Sequence, residues 1–161
     1  MAHQPELHLR IASRFDELDL VDRLIDGFLE YLGWDAEDGP NVTLAVREAA
    51  ANAVQHGNRL DASIPAEIYC TVGDADSGGD SWLLVEVVDQ GEGFDIDGLP
   101  DPLAPENLLK PTGRGILLIR NFMDSVTFEF PEAGGTRVSM GKRVPASVRE
   151  ENSDSNEENQ R

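Results

Sequence analysis

The sequence predicts an α/β domain with elements in the order strand, helix, helix, strand, strand, long loop, helix, strand, strand. Three observations support this prediction. Alternating apolar and polar residues mark strands, apolar residues three or four positions apart mark helices, and a glycine-rich turn separates the last two strands. The chain has 161 residues, of which 40% are apolar, so it is long enough for one domain with its own core.

The first strand and helix are predicted from the N-terminal pattern. Residues 7–12 alternate as in a half-buried strand, and Ser13 is placed to cap the helix that follows. Apolar residues then recur at helical spacing over 18–29, and Gly33 is expected to end that helix.

The second predicted helix, residues 41–55, is rich in alanine, which gives it a narrow face that can pack closely. Gly57 is expected to stop this helix by adopting a left-handed conformation. Two strands follow, at 66–72 and 82–88. The second of them is apolar except for Glu86, so we expect it at the centre of the sheet.

The last part of the domain begins with a loop rich in glycine and proline, residues 89–112. Loops of this length are unusual in compact domains and are often functional. A short helix at 115–123 follows, and strands at 125–130 and 136–144 form a hairpin.

The charge of the chain restricts its partners. The net charge is −18, which argues against direct binding to nucleic acid or to an anionic membrane. The acidic segment 146–161 predicts a disordered tail and leaves 1–145 as the domain. The only cysteine, Cys70, excludes an internal disulfide, and the cytoplasm is the simplest location. We expect no signal peptide and no transmembrane helix.

Glu48, Asn52 and His56 follow one another at intervals of four residues, which places them on one helical face. One interpretation is an exposed polar stripe. In the functional interpretation, Asn52 offers Mg²⁺ an oxygen ligand, and Glu48 lies one turn away as a base. His56 is more simply a capping or core residue than a metal ligand, because the chain lacks the cysteines and nearby histidines of a zinc site.

A second motif, Asp89-Gln-Gly91-Glu-Gly93-Phe, follows the apolar strand. Asp89 can accept a hydrogen bond from an amino group there, and the two glycines allow the backbone to approach a flat ligand. The alternative is an ordinary acidic turn, since Asp and Gly are common turn residues. An EF-hand calcium loop is excluded because glycines stand at its positions 3 and 5, which need oxygen ligands.

The third motif, Gly113-Arg114-Gly115, opens the third helix, where unpaired N–H groups attract anions. Lys110 and Arg114 are the nearest cations for a triphosphate, although both could be solvated surface residues. Thr136 follows two glycines, and its hydroxyl could donate to a ring nitrogen, hold a water or serve the hairpin alone. The three motifs together favour a site for a magnesium-bound adenine nucleotide.

The ordered set Glu-x-x-x-Asn-x-x-x-His-Gly, Asp-x-Gly-x-Gly-Phe, Gly-x-Gly and Gly-Gly-Thr resembles the GHKL (Bergerat-fold) ATPase superfamily over roughly residues 7–144. The chain is most similar to the anti-sigma factor/serine-protein kinase branch, on His56-Gly-Asn58 and on the segment 111–124. The resemblance implies a two-layer sandwich: a mixed, mostly antiparallel sheet with helices on one face.

The same resemblance implies roles for the residues of the first two motifs. Glu48 corresponds to the catalytic base, and Asn52 corresponds to the Mg²⁺ ligand. Asp89 corresponds to the partner of the adenine, and Gly91 and Gly93 lie in the turn beside the base.

Further residues correspond to the phosphate side and to the base. Gly113 and Gly115 match the phosphate-side glycines, and Thr136 matches the threonine near the adenine. Relatives of the sporulation type often carry an arginine where Pro111 and Thr112 stand here. The resemblance therefore leaves open which cation meets the γ-phosphate.

The implied function is that of a serine/threonine protein kinase with ATP and Mg²⁺. It would phosphorylate a serine of a small anti-sigma antagonist and also sequester a sigma factor or a similar regulator, and the branch often forms homodimers. Two alternatives stay open: a nucleotide-dependent protein-binding module without kinase activity, and a detached histidine-kinase catalytic domain.

Overall fold

A computed structural model describes residues 4–74, 81–92, 106 and 114–145. Its strands are β1 (Glu6–Ala12), β2 (Pro65–Asp74), β3 (Ser81–Val88), β4 (Ser125–Glu129) and β5 (Arg137–Arg143). Its helices are α1 (Leu18–Tyr31), α2 (Gly39–Asn52) and α3 (Arg114–Phe122). The strands form one sheet in the order β1-β2-β3-β5-β4, and all four strand pairs among these residues are antiparallel. The predicted two-layer α/β fold is confirmed.

The strand register decides which face of the sheet is buried. Between β3 and β5, Val85 lies opposite Met140, and both are buried in the core shared with the helices. The next pair along, Glu86 and Ser139, is on the other face and partly exposed, because successive side chains of a strand alternate. β3 has a bonded neighbour on each side, so its predicted central position is confirmed.

α1 covers one side of the sheet with a stripe of apolar side chains and ends as predicted, before Gly33 at a φ of 77°. The predicted cap at Ser13 is wrong. A 3₁₀ turn at Phe15–Glu17 precedes α1, and the buried Ser13 hydroxyl donates instead to the Ile64 carbonyl at 2.6 Å. Ser13 therefore ties the end of β1 to the segment that enters β2.

α2 lies between α1 and α3 and contacts both of them. Its buried positions are mostly small, including Ala45, Ala49 and Ala50, which permits this close packing. The chain continues as a π-helical turn, Ala53–Gly57, before it leaves the helix. The expected left-handed Gly57 is wrong, because positive φ occurs two and three residues later, at Arg59 (53°) and Leu60 (59°).

Several predicted features lie outside the residues that the structure describes. They include most of the loop 89–112, the segment 146–161, and the candidate residues Gly93, Lys110 and Gly113. Within the described part, no helix is both long and apolar enough to cross a bilayer.

Candidate functional site

Asp89 is the first residue after β3 and is only 4% exposed. Its Oδ1 accepts hydrogen bonds from the backbone N–H groups of Gly91 (3.1 Å) and Thr136 (3.2 Å). Its own N–H donates to the Thr136 carbonyl at 3.0 Å. Within the described ranges, no group donates to Oδ2. The turn thus holds the carboxylate by one oxygen and leaves the other available to an amino group of a ligand.

Burial raises the pKa of the Asp89 carboxyl, and the two backbone hydrogen bonds lower it in part. A carboxylate that is shielded from water interacts more strongly with a hydrogen-bond donor than an exposed one does. A buried acceptor with a perturbed pKa favours a binding role for Asp89 over an ordinary acidic turn.

Three glycines allow the backbone to pack directly against the Asp89 turn. A Cβ on Gly57 would lie 2.2 Å from Asp89 Cγ, and one on Gly135 would lie 2.1 Å from the Asp89 carbonyl oxygen. A Cβ on Gly91 would lie 1.5 Å from the Gly57 carbonyl oxygen. The sequence suggested that Gly91 makes room for a ligand, whereas the structure shows that it makes room for Gly57. A larger residue at any of the three positions would force the Asp89 carboxyl group or the neighbouring backbone to shift.

Thr136 is 1% exposed, and its Oγ1 has no hydrogen-bond partner among the described residues. A buried hydroxyl without a partner costs about 1–3 kcal/mol. Because the backbone of Thr136 is bonded to that of Asp89, the unpaired hydroxyl lies close to the carboxylate. A bound ring nitrogen or water would satisfy it, which favours the predicted role of Thr136 beside a base.

Glu48 and Asn52 are half-buried on α2, beside the start of α3. A Cβ on Gly115 would lie 2.7 Å from Glu48 Oε2 and 3.7 Å from Asn52 Nδ2. Neither side chain bonds to another described residue. The amide of Asn52 can offer Mg²⁺ an oxygen ligand, and the Glu48 carboxylate lies one turn away. The nearby start of α3 offers N–H groups to the phosphates that such an ion binds. Their burial disfavours the exposed polar stripe.

α2 and the π turn that continues it carry both ends of the candidate site. Glu48 and Asn52 lie one turn apart near the end of α2, and Gly57, against which Asp89 packs, ends the π turn five residues after Asn52. A ligand with a base at one end and phosphates at the other matches this arrangement. His56 is exposed in the π turn, so it is neither a core residue nor part of a continuous four-residue repeat with Asn52.

Arg114 is the first residue of α3 and is exposed, so its predicted contact with a phosphate stays a prediction. Residues that shape the Asp89 turn were missing from the sequence-based site: Gly57, Gly135 and Asn58. Gly57 and Asn58 belong to the first motif and Gly135 to the Gly-Gly-Thr motif, but neither motif indicates a contact with the Asp89 turn.

Comparison with known proteins supports a nucleotide site. The family described as "Histidine kinase-like ATPase domain" matches residues 11–142. The chain is 26% identical over 147 residues to a serine-protein kinase RsbW of Halalkalibacterium halodurans, covering 87% of this chain and 85% of the relative. It is 28% identical to an RsbW of Staphylococcus epidermidis, covering 88% of each chain. It is 25% identical to an anti-sigma F factor of Clostridium botulinum, covering 88% of this chain and 96% of the relative.

A solved structure of similar fold contains the RsbU and RsbW domains of a Mycobacterium tuberculosis protein. The TM-score is 0.60 at 20% identity, and the match covers 90% of this chain and 34% of the other. At this identity the similarity establishes the fold alone, and this chain spans about a third of the length of that solved chain.

Proposed function

Since this chain belongs to the histidine kinase-like ATPase domain family, we propose that it is an ATP-dependent serine/threonine protein kinase. Its substrate is a small anti-sigma antagonist protein, and its second activity is to sequester a sigma factor or a similar regulator. Relatives named as serine-protein kinases and as an anti-sigma F factor support this proposal.

One observation carries the proposal. A buried carboxylate acceptor and an unpaired buried hydroxyl, Asp89 and Thr136, lie against the end of the π turn that follows α2. A carboxylate and an amide, Glu48 and Asn52, lie earlier on the same helix beside the start of α3. Polar groups of these types, in this order, are suited to hold the base and the phosphates of one nucleotide.

In the proposed complex, Asp89 Oδ2 accepts a hydrogen bond from the amino group of the adenine, and Thr136 Oγ1 bonds to the ring or to a bridging water. Asn52 holds Mg²⁺, which would neutralise phosphate charge when bound. Because the chain has a net charge of −18, this neutralisation would reduce the repulsion between the protein and the triphosphate. Arg114 and Lys110 remain candidates for contact with the phosphates.

Glu48 acts as the base in the proposed transfer. The serine oxygen of the antagonist forms a bond to the γ-phosphorus, the bond between that phosphorus and the β–γ bridging oxygen breaks, and the serine proton passes to Glu48. ADP leaves with the bridging oxygen. Catalysis of this type depends mainly on positioning and electrostatics, so the half-buried Glu48 must be held near the α3 start, as observed.

The test combines purified protein, radiolabelled ATP, Mg²⁺ and an antagonist protein encoded beside this gene. We expect serine phosphate on the antagonist, with a loss of about 10²–10⁴-fold in rate for Glu48→Gln. Glu37→Gln is the matched control, because Glu37 is exposed in the segment between α1 and α2. Absence of phosphoserine, with ATP-dependent binding of the antagonist unaffected by Glu48→Gln, would support a binding module without kinase activity. Phosphate on a histidine would support a histidine-kinase domain.

We also propose that the protein forms a homodimer through its first strand and helix. β1 is an edge strand of the sheet, and unpaired strand edges tend to associate. On α1, Leu20 is 46% exposed, Leu24 is 37% exposed and Tyr31 is 76% exposed. Sedimentation equilibrium should give a dimer for the wild type and a monomer for a Leu20→Glu/Leu24→Glu variant, and a monomeric wild type would contradict the proposal.

A further inference from the structure

Asn58 directly follows the π-helical turn and is only 2% exposed. Its backbone N–H donates to the Ala53 carbonyl at 2.8 Å, which closes that turn. The two residues after it adopt left-handed conformations. Its side chain therefore lies inside the protein at the point where the chain leaves the helix that carries the candidate site.

The Asn58 amide joins three separate segments of the chain. Its Nδ2 donates to Ser13 Oγ at 2.9 Å, and to the carbonyls of Pro65 at 3.2 Å and Ile64 at 3.4 Å. Its Oδ1 accepts the backbone N–H of Gln90 at 2.9 Å. Both ends of the amide are therefore in use, and the end of β1, the start of β2 and the turn after β3 meet at one side chain.

The contact with Gln90 matters most for the site. Gln90 lies between Asp89 and Gly91, and the Gly91 N–H is one of the two donors that hold Asp89 Oδ1. The Asn58–Gln90 hydrogen bond therefore holds the peptide unit that joins Asp89 to Gln90. This peptide unit connects the Asp89 side chain to the Gly91 N–H that orients it. The ion pair between Arg59 and Glu92, at 2.7 Å, links the same two segments at the surface.

We propose that Asn58 is a positioning residue for the base-binding end of the site, and that it sets the preference for purines that carry a 6-amino group. It touches no ligand and acts through Gln90 and the Asp89 carboxylate. This inference rests on the proposed nucleotide site.

The test compares the affinities of ATP and of purine riboside triphosphate, which lacks the 6-amino group. The wild type should prefer ATP at least tenfold. In Asn58→Ala the affinity for ATP should fall at least fivefold, while the affinity for the analogue changes less than twofold. A merely structural role would weaken both nucleotides equally and leave their ratio unchanged, and that result in a folded variant would overturn the proposal.

Two further variants serve as controls. Ser13→Ala removes the contact with Ser13 but leaves the Asn58–Gln90 hydrogen bond. The ratio of its affinities for ATP and for the analogue should therefore stay within twofold of the wild-type ratio, even if its melting temperature falls. Asn58→Asp keeps an acceptor for the Gln90 N–H but loses the Nδ2 donors to Ser13, Ile64 and Pro65, so it should be less stable than the wild type and still prefer ATP by the same factor. Loss of that preference in a folded Asn58→Asp protein, while the Gln90 amide still exchanges slowly, would overturn the mechanism.

The two proposals can fail separately. If the wild type binds ATP with the expected preference and Asn58→Ala retains that preference, only the role of Asn58 is wrong. If the wild type binds neither nucleotide, the proposed function fails and the base preference fails with it.

Discussion

Gly57→Ala is the smallest change that tests the packing behind the Asp89 carboxylate. The added Cβ would lie 2.2 Å from Asp89 Cγ, 2.3 Å from Oδ2 and 2.6 Å from Oδ1. Ordinary van der Waals contact begins at 3.4 Å, so the carboxyl group must retreat by about 1.2 Å, or the π turn must move by a similar distance. The substitution adds one methyl group and no charge.

The size of the effect follows from the hydrogen bonds that this movement breaks. Asp89 Oδ1 lies 3.1 Å from the Gly91 nitrogen and 3.2 Å from the Thr136 nitrogen, close to the upper limit for such bonds. A displacement of about 1 Å would break at least one of these hydrogen bonds and turn Oδ2 away from the ligand. A hydrogen bond to a charged group contributes about 1.5–3 kcal/mol, which predicts a loss of roughly 10–150-fold in ATP affinity.

Isothermal titration calorimetry with ATP and Mg²⁺ measures this loss, and thermal unfolding shows whether the variant is folded. Gly27→Ala is the matched control, because a Cβ on Gly27 in α1 meets nothing within 4 Å. That substitution should leave ATP affinity unchanged and stabilise the helix by about 0.5–1 kcal/mol. A folded Gly57→Ala protein with the affinity of the wild type would refute the reasoning.

Three further predictions concern the same turn and the core. Gly135→Ala should lower the free energy of unfolding by about 1–3 kcal/mol in chemical denaturation, because Gly135 has a φ of 86° and its Cβ would meet the Asp89 backbone; unchanged stability would contradict this. Burial raises the pKa of Asp89, so the ionised carboxylate lowers the free energy of unfolding above that pKa, and this cost is relieved as the pH falls. A protonated Asp89 accepts the adenine amino group less well, so ATP affinity should decline on acidification, with a midpoint above the ordinary pKa of about 4. Calorimetry at several pH values should show this decline in the wild type and not in Asp89→Asn. Burial raises the pKa of the Cys70 thiol to about 12, so iodoacetamide at pH 8 should modify the native protein roughly 10³-fold more slowly than the unfolded chain, and equal rates by mass spectrometry would show that Cys70 is accessible.

Most of the fold could be predicted from patterns formed by residues that are near one another in the sequence. The alternation over 7–12 and 136–144 and the helical spacing over 18–29 reflect burial of one face, and the strands and helices lie within a few residues of the predicted bounds. The resemblance to the anti-sigma kinase branch of the GHKL superfamily is confirmed by the family match and the named relatives. The predicted location in the cytoplasm and the acidic tail stay predictions.

What the sequence could not predict depends on contacts between distant segments. Ser13 was expected to cap a helix, yet it bonds to Asn58, 45 residues away. Gly57 was expected to provide a left-handed turn, whereas it is glycine because the Asp89 side chain packs against it. Such roles depend on which loops the folded sheet brings together, and local spacing contains no information about that.

The central claim is that Asp89 accepts a hydrogen bond from a bound adenine nucleotide. Calorimetric titration of ADP with Mg²⁺ into the wild type and into Asp89→Asn tests it most directly. Saturable binding by the wild type, weakened at least tenfold in a folded Asp89→Asn protein, is the expected result. No saturable binding by the wild type, or equal affinity in the two proteins, would contradict the claim.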